Sequence, residues 1–206
     1  LYTTLAQDVV YKDPMRQVVF LDNHDIPRFY SVVGEDTSKY KMAYAWMLTT
    51  RGIPQMYYGN EILMAGTTSP NDGYVRLDFP GGWEGDAVNK FTAAGRTEKE
   101  NSIFNYIKRL ANFRLKSSAI KTGKFMQFLP VDGVYVYFRY DNNQTVMCIM
   151  NTNRESKTID LSRFKERMKD FTSALDVAAG QVFQLEQKIT LLPISNLVLE
   201  LHKKNY

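Results

Sequence analysis

Four consecutive polar residues, Asp22-Asn23-His24-Asp25, end the apolar, β-branched run Gln17-Val18-Val19-Phe20-Leu21. Apolar residues giving way abruptly to polar ones is how a buried strand looks when its C-terminal end opens into a site. A carboxylate accepts hydrogen bonds with the help of its charge, and an imidazole donates them, so this short stretch offers both functions. The same residue types also close turns, because Asn and Asp side chains bond to their own backbone. A strand followed by an Asx-type turn is the competing reading, and for four polar residues taken alone it is the commoner outcome.

The elements around the cluster decide between the two. Residues 1–11 read as the end of an amphipathic helix with Leu5, Val9 and Val10 on one side, broken at Asp13-Pro14. Residues 17–21 lack alternation, as in a strand of a parallel sheet with both faces covered. A polar loop is expected over 31–39. Tyr40, Ala43, Tyr44, Met47 and Leu48 then recur at helical spacing, and Gly52 follows where a helix stops. A second strand is expected at 53–58. Strand, helix, strand in about 40 residues is a βαβ unit with parallel strands. Residues 59–95 are glycine-rich and aperiodic, too long for a plain connection. Thr97-Glu98-Lys99-Glu100 is a capping box opening a helix to about residue 116, with Ile103, Ile107, Leu110, Ala111 and Arg114 periodic.

From Ser117 the texture becomes β. Strands are expected at 125–129, 134–140, 145–150, 171–175, 182–185, 189–192 and 197–201, with a turn of helix or two at 162–169. Two βα units with polar strand ends suggest the end of a (β/α) barrel, whose active site lies on that face. Such a barrel needs about eight units. The fold expected is therefore α/β plus all-β: the last two βα units of a TIM (β/α)8 barrel over residues 1–116, then an antiparallel β-sandwich over 117–206. That organisation fits the C-terminal quarter to third of a larger enzyme.

Composition excludes several classes. At 44% hydrophobic and 23% charged the chain has the balance of an ordinary globular protein. Its net charge of +4 is spread out, with local clusters only at Lys108-Arg109 and Lys203-Lys204, which argues against nucleic acid as a partner. No apolar run reaches the length of a membrane span. The single cysteine, Cys148, has no partner for an internal disulfide and lies in an apolar run, so a buried, inert thiol is expected. The 13 Tyr, 12 Phe and 2 Trp suit sugar platforms or base stacking, and equally a β-rich core. The chain starts Leu1-Tyr2-Thr3, without Met and inside a helix-like stretch, so a piece of a longer protein is expected and the compartment stays open.

FLDNHD at 20–25 resembles the strand-seven region of the α-amylase family, glycoside hydrolase family 13. GIPQMYYGNE at 52–61 resembles that family's strand-eight region, at the right spacing. DGYVRLDFPGGWEGDAVNKFT at 72–92 looks like a long loop of bacterial cyclomaltodextrinases and neopullulanases, and the closing β-region is similar to their C-terminal domain. The resemblance covers nearly the whole chain, most specifically residues 20–96.

The resemblance implies retaining hydrolysis of α-1,4-glucans, with two carboxyl groups at work and an oxocarbenium-like transition state. Asp25 matches the family's third acid, which grips sugar hydroxyls and stabilises that state. His24 matches its hydrogen-bonding neighbour. Both contacts would tighten as the sugar ring flattens. Asn23 is a substrate-side candidate that also shapes the turn, while Asp22 points the other way if the pleat persists. Arg28 resembles the arginine three places after the Asp, and a structural ion pair suits it as well as a sugar contact. Asp72 and Arg76, spaced D-x-x-x-R, resemble a pair that binds sugar further from the cut; a loop-stabilising ion pair is the alternative. Tyr74 and Trp83 are expected to stack on sugar or to pack the loop, with packing favoured for Trp83 among its glycines. Tyr57, Tyr58 and Glu61 are expected to be structural.

The family's nucleophile and general acid come from strands four and five, which have no counterpart here, so this chain alone is expected to be inactive. No metal ligand and no cofactor is expected in it, and any calcium would belong to the part not included. The expected partner is an α-glucan oligosaccharide. The preceding part of the same protein, or a second copy through strand pairing, is expected to cover the barrel strands; neither nucleic acid nor membrane is expected. A periplasmic location is expected by resemblance only. The rival reading is a non-catalytic, carbohydrate-binding or structural β-module with a barrel remnant.

Overall fold

Two parallel strands, β1 (Val18–Val19) and β2 (Ile53–Pro54), form the smallest sheet of the molecule, with Val18 opposite Ile53 and Val19 opposite Pro54. The structure, a computed structural model, describes residues 1–203, so Lys204 lies outside the described residues. Both strands are shorter than the sequence predicts. Each has one neighbour, and Pro54 cannot donate to the ladder, which is closed by Ile53 N–H to Gln17 O and Gln55 N–H to Val19 O, both 2.8 Å.

Helix α1 (Tyr2–Ala6) runs into a 3-10 turn, Gln7–Val10. Leu5 is buried but Val9 and Val10 are exposed, so the apolar face expected over 1–11 does not form. The change to 3-10 winding breaks the 3.6-residue register that would have aligned them. Where a polar loop was expected, α2 (Phe29–Val32) precedes a left-handed turn at Gly34 and Glu35. Asp36 then caps α3 (Thr37–Thr49) by accepting from the amides of Ser38 and Lys39. Gly52, with φ of +99°, turns the chain from α3 into β2, where a Cβ would meet the Gln17 carbonyl at 2.5 Å. Helix α4 (Glu98–Lys116) has the predicted capping box and buries Ile103, Ile107 and Leu110. Its Arg114 donates to the carbonyls of Leu48, Thr50 and Gly52, closing the C-terminal end of α3. Helix α5 (Ser118–Thr122) leads into the β-region.

There, β3 (Lys124–Val131), β4 (Val134–Tyr140), β5 (Thr145–Asn151), β7 (Phe171–Asp176), β8 (Gln181–Gln184) and β10 (Ser195–Lys203) make one antiparallel sheet in the order β3-β4-β5-β10-β7-β8. The unanticipated β6 (Lys157–Asp160) pairs with β9 (Lys188–Leu191), and α6 (Lys165–Met168) follows a 3-10 turn, Leu161–Phe164. The sandwich is lopsided, six strands against two.

This explains why β4 and β5 carry apolar residues on both faces. Val134, Val136, Phe138, Met147 and Ile149 pack with Leu161, Phe164, Ile189 and Leu191 beneath the two-stranded layer. Tyr135, Tyr137, Val146, Cys148 and Met150 pack with Tyr44, Met47, Ile107 and Leu110 on the helix side. Alternate residues of one strand thus belong to two cores. Cys148 is buried as expected, and burial pushes its thiol up to about 11. Between helices and sheet, Tyr137 bonds Thr49 at 2.5 Å, and the buried Arg139 donates to the carbonyls of Thr49 and Gly123. Among the described residues no helix is long and apolar enough to cross a membrane.

Candidate active site

The turn at residues 22–25 is present, and it presents the polar cluster. Asn23 Oδ1 accepts from the Asp25 amide at 2.8 Å, so Asn23, expected on the substrate side, closes an Asx turn. The same geometry leaves the His24 and Asp25 side chains exposed beyond the C-terminal end of β1, with His24 Nε2 3.4 Å from Asp25 Oδ1.

Arg76, fifty-one residues further along, completes the group. Its Nε donates to the His24 carbonyl at 2.8 Å, and its Nη2 lies 3.1 Å from Asp25 Oδ1 and 3.0 Å from Asp72 Oδ2. Asp72 opens a 3-10 turn, Asp72–Val75, whose start is capped by Asn71. Asp25, Asp72 and Arg76 are all about half exposed, so the pairing itself contributes little to stability. Its consequence is geometric: one guanidinium fixes the spacing of two carboxylates and one backbone carbonyl.

Arg28, expected to make a sugar contact or a structural ion pair, is fully enclosed, and among the described residues no carboxylate pairs with it. Its Nε donates to Val75 O at 2.9 Å and its Nη1 to Tyr58 O at 2.5 Å, while its guanidinium lies 4.0 Å from the centre of the Tyr57 ring. A guanidinium is planar and weakly hydrated, so it can be buried against aromatic faces and carbonyls. It ties the turn after β1 to the segment that follows β2 and to the Asp72–Val75 turn. Trp83 is a correction: its side chain is 67% exposed rather than packed. Asp86 accepts from the amides of Gly81 and Trp83, and that tight turn holds the indole outward. Tyr74 is likewise half exposed. Glu61 is half-buried, with Oε2 directed inward.

Sequence reasoning missed Asn60, which is buried and donates to Asp22. The available signal was Asp22 itself, whose side chain turns away from its immediate neighbours if the strand pleat persists. Among the described residues no three His, Cys, Asp or Glu side chains gather as a metal site requires.

Comparison with known proteins places these elements. The α-amylase catalytic domain matches residues 2–84, and the cyclomaltodextrinase C-terminal domain matches residues 125–200. The chain belongs to the α-amylase family. It is 32% identical over 157 residues to a cyclomaltodextrin glucanotransferase of Geobacillus stearothermophilus, covering 75% of this chain and 19% of that protein. To a cyclomaltodextrinase of Geobacillus thermopakistaniensis it is 31% identical over 144 residues, covering 68% of this chain and 22% of the relative. The chain therefore spans about a fifth of the length of these curated relatives. An α-amylase structure from Anoxybacillus superposes on the whole chain with a TM-score of 0.78 at 22% identity, using 42% of that enzyme. In this family setting, β1 and β2 are the last two parallel strands of a (β/α) barrel, and the antiparallel sheets form the closing domain.

Proposed function

We propose that this chain supplies one wall of the α-glucan cleft in a retaining glycoside hydrolase acting on cyclodextrins, pullulan or maltodextrins. The observation that carries the proposal is the Asp25 carboxylate, exposed beyond β1 with His24 on one side and Arg76 on the other. Asp25 grips ring hydroxyls and stabilises positive charge developing on the sugar. Among the described residues no hydrogen bond reaches its Oδ2, which leaves that oxygen free to accept a hydroxyl. His24 donates to the same sugar. Asp72 and Arg76 address a sugar further along, and the exposed Tyr74 and Trp83 of the same long loop offer apolar faces for stacking.

Bond cleavage needs a nucleophile and an acid about 5–5.5 Å apart, which in this reading belong to strands outside this chain. The exposed apolar residues beside β1 and β2, Val18, Phe20, Ile53 and Met56, support a sheet completed by further strands of the same protein or by a second copy. The test compares the complete gene product with residues 1–206 on β-cyclodextrin, pullulan and maltoheptaose. Hydrolysis by the complete product and none by residues 1–206 is expected. A complete product that binds these glucans without cleaving them would favour a non-catalytic carbohydrate-binding module.

A further inference from the structure

Asp22 lies in the same polar stretch as Asp25 and does the opposite thing. It is 1% exposed, and both of its oxygens are engaged inside the protein. Oδ2 accepts from the Phe29 amide at 2.7 Å, and Oδ1 accepts from Asn60 Nδ2 at 2.5 Å. Asn60 is equally buried, and its carbonyl accepts from the Tyr40 hydroxyl at 2.8 Å. Its own turn is tightly set: Gly59 before it and Leu63 after it are both left-handed, and the Gly59 carbonyl accepts from Ile62 and Met64.

We infer that Asp22 is a positioning residue: it joins the turn after β1 to the 3-10 turn Asn60–Ile62 that follows β2, and so fixes where Asp25 and His24 stand. The inference rests on the functional reading above. The Asp22–Phe29 bond closes residues 22–29 into a ring, and His24, Asp25 and Ile26 are the part of that ring in solvent. The Asn60 bond fastens the ring to the 3-10 turn that follows β2. The Arg28 amide, donating to Gly66 O, adds a third tie. A buried charge is costly, so a carboxylate is a poor choice where one acceptor would suffice. Here two donors converge from different elements, and a carboxylate accepts both, whereas an amide presents one acceptor and one donor. The site needs this rigidity because an Asx turn alone, exposed to water, does not hold a side chain to the tolerance that transition-state contacts demand.

The chemistry of the pair gives a reciprocal test. In Asp22→Asn the side-chain carbonyl still accepts from Phe29, but its NH2 meets the NH2 of Asn60 as that amide is now oriented, and only turning the buried Asn60 amide over relieves the clash. In Asn60→Asp two carboxylates face each other. Combined, the exchanges restore one donor facing one acceptor. In the complete gene product, each single variant is expected to lower kcat by about tenfold or more while KM changes by less than about threefold. The double variant is expected to regain kcat to within about threefold of the parent. A merely structural contact would lower the amount of folded enzyme and leave kcat per folded molecule unchanged. Single variants that keep the parental kcat, or a double variant no better than the poorer single, would overturn the inference. If Asp22→Asn does not fold, Asn60→Ala decides: lowered kcat at near-constant KM supports the link, and unchanged kcat refutes it. An inactive parent would instead refute the functional reading on which the inference stands.

Discussion

Val136 in the six-stranded sheet is 3% exposed; Val18 in the two-stranded sheet is 51% exposed. Both are strand residues with the same side chain. Val136 has strands on both sides and a second β-layer over its face, while Val18 has one paired neighbour. The wide sheet carries the two cores of the molecule. The narrow one rests on α3, which in turn rests on the wide sheet. Yet the exposed chemistry, Asp25, His24, Asp72 and Arg76, gathers at the narrow end. Mechanical support and candidate site are thus held by different parts of the chain, linked by α3, Arg114 and Arg139.

The comparison breaks most readily in the wide sheet. Phe164 is 1% exposed and packs edge-on against Phe128 at 4.9 Å, between the two β-layers. Phe164→Ala is expected to cost about 3–5 kcal/mol of stability, read from urea melts. A loss below about 1 kcal/mol would show that this layer does not support the fold. The next effect concerns the linkage. Arg114→Ala leaves three carbonyls at the end of α3 without their donor and is expected to cost about 2–3 kcal/mol. Amide exchange should quicken at Ile53 and Gln55 well before it does in β4 and β5. Equal acceleration in both sheets would contradict the division of labour.

The smallest effect concerns the long loop. Lys90 and Glu100 form a mostly buried ion pair, and Glu100 also accepts from the Thr97 amide. Burial alone would raise the Glu100 carboxyl, but the Lys90 ammonium and the Thr97 amide outweigh it and hold it below its ordinary value. A lowered value means that the stabilisation is present above the carboxyl's unfolded range, about 4.3, and is lost as pH falls through the folded value. Limited proteolysis within residues 78–95 should therefore accelerate below about pH 4, and Glu100→Gln should remove that pH dependence. A cleavage rate that keeps its pH 7 value when the pH is taken well below 4 would rule the pair out as the loop's anchor.

Much of the fold was legible because its signals are local. The capping box at Thr97 and Glu100, the βαβ spacing and the 134–151 hairpin each declare themselves within about 20–40 residues. Asp25 and His24 showed as a break in an apolar run, and Asp72 with Arg76 as a spacing. What stayed hidden depends on partners far away in sequence. Arg28 reads from the sequence as an ion-pair or sugar-contact residue, and its bonds to the Val75 and Tyr58 carbonyls show only in the fold. Asp22 and Asn60 meet across 38 residues. Trp83 was expected to pack because glycines surround it, but those glycines let the loop turn tightly and hold the indole out. Strand β6 escaped because Lys-Thr-Ile-Asp is too short and polar to read as a strand without β9 beside it.

Asp25→Asn in the complete gene product tests the central claim most directly. The substitution keeps size and removes the charge from an exposed side chain, so the fold and glucan binding should persist. The account predicts that β-cyclodextrin turnover falls by about a thousandfold with an unchanged melting temperature. A rate close to that of the parent would show that the Asp25, His24 and Arg76 cluster is not the part of the cleft that stabilises the reacting sugar.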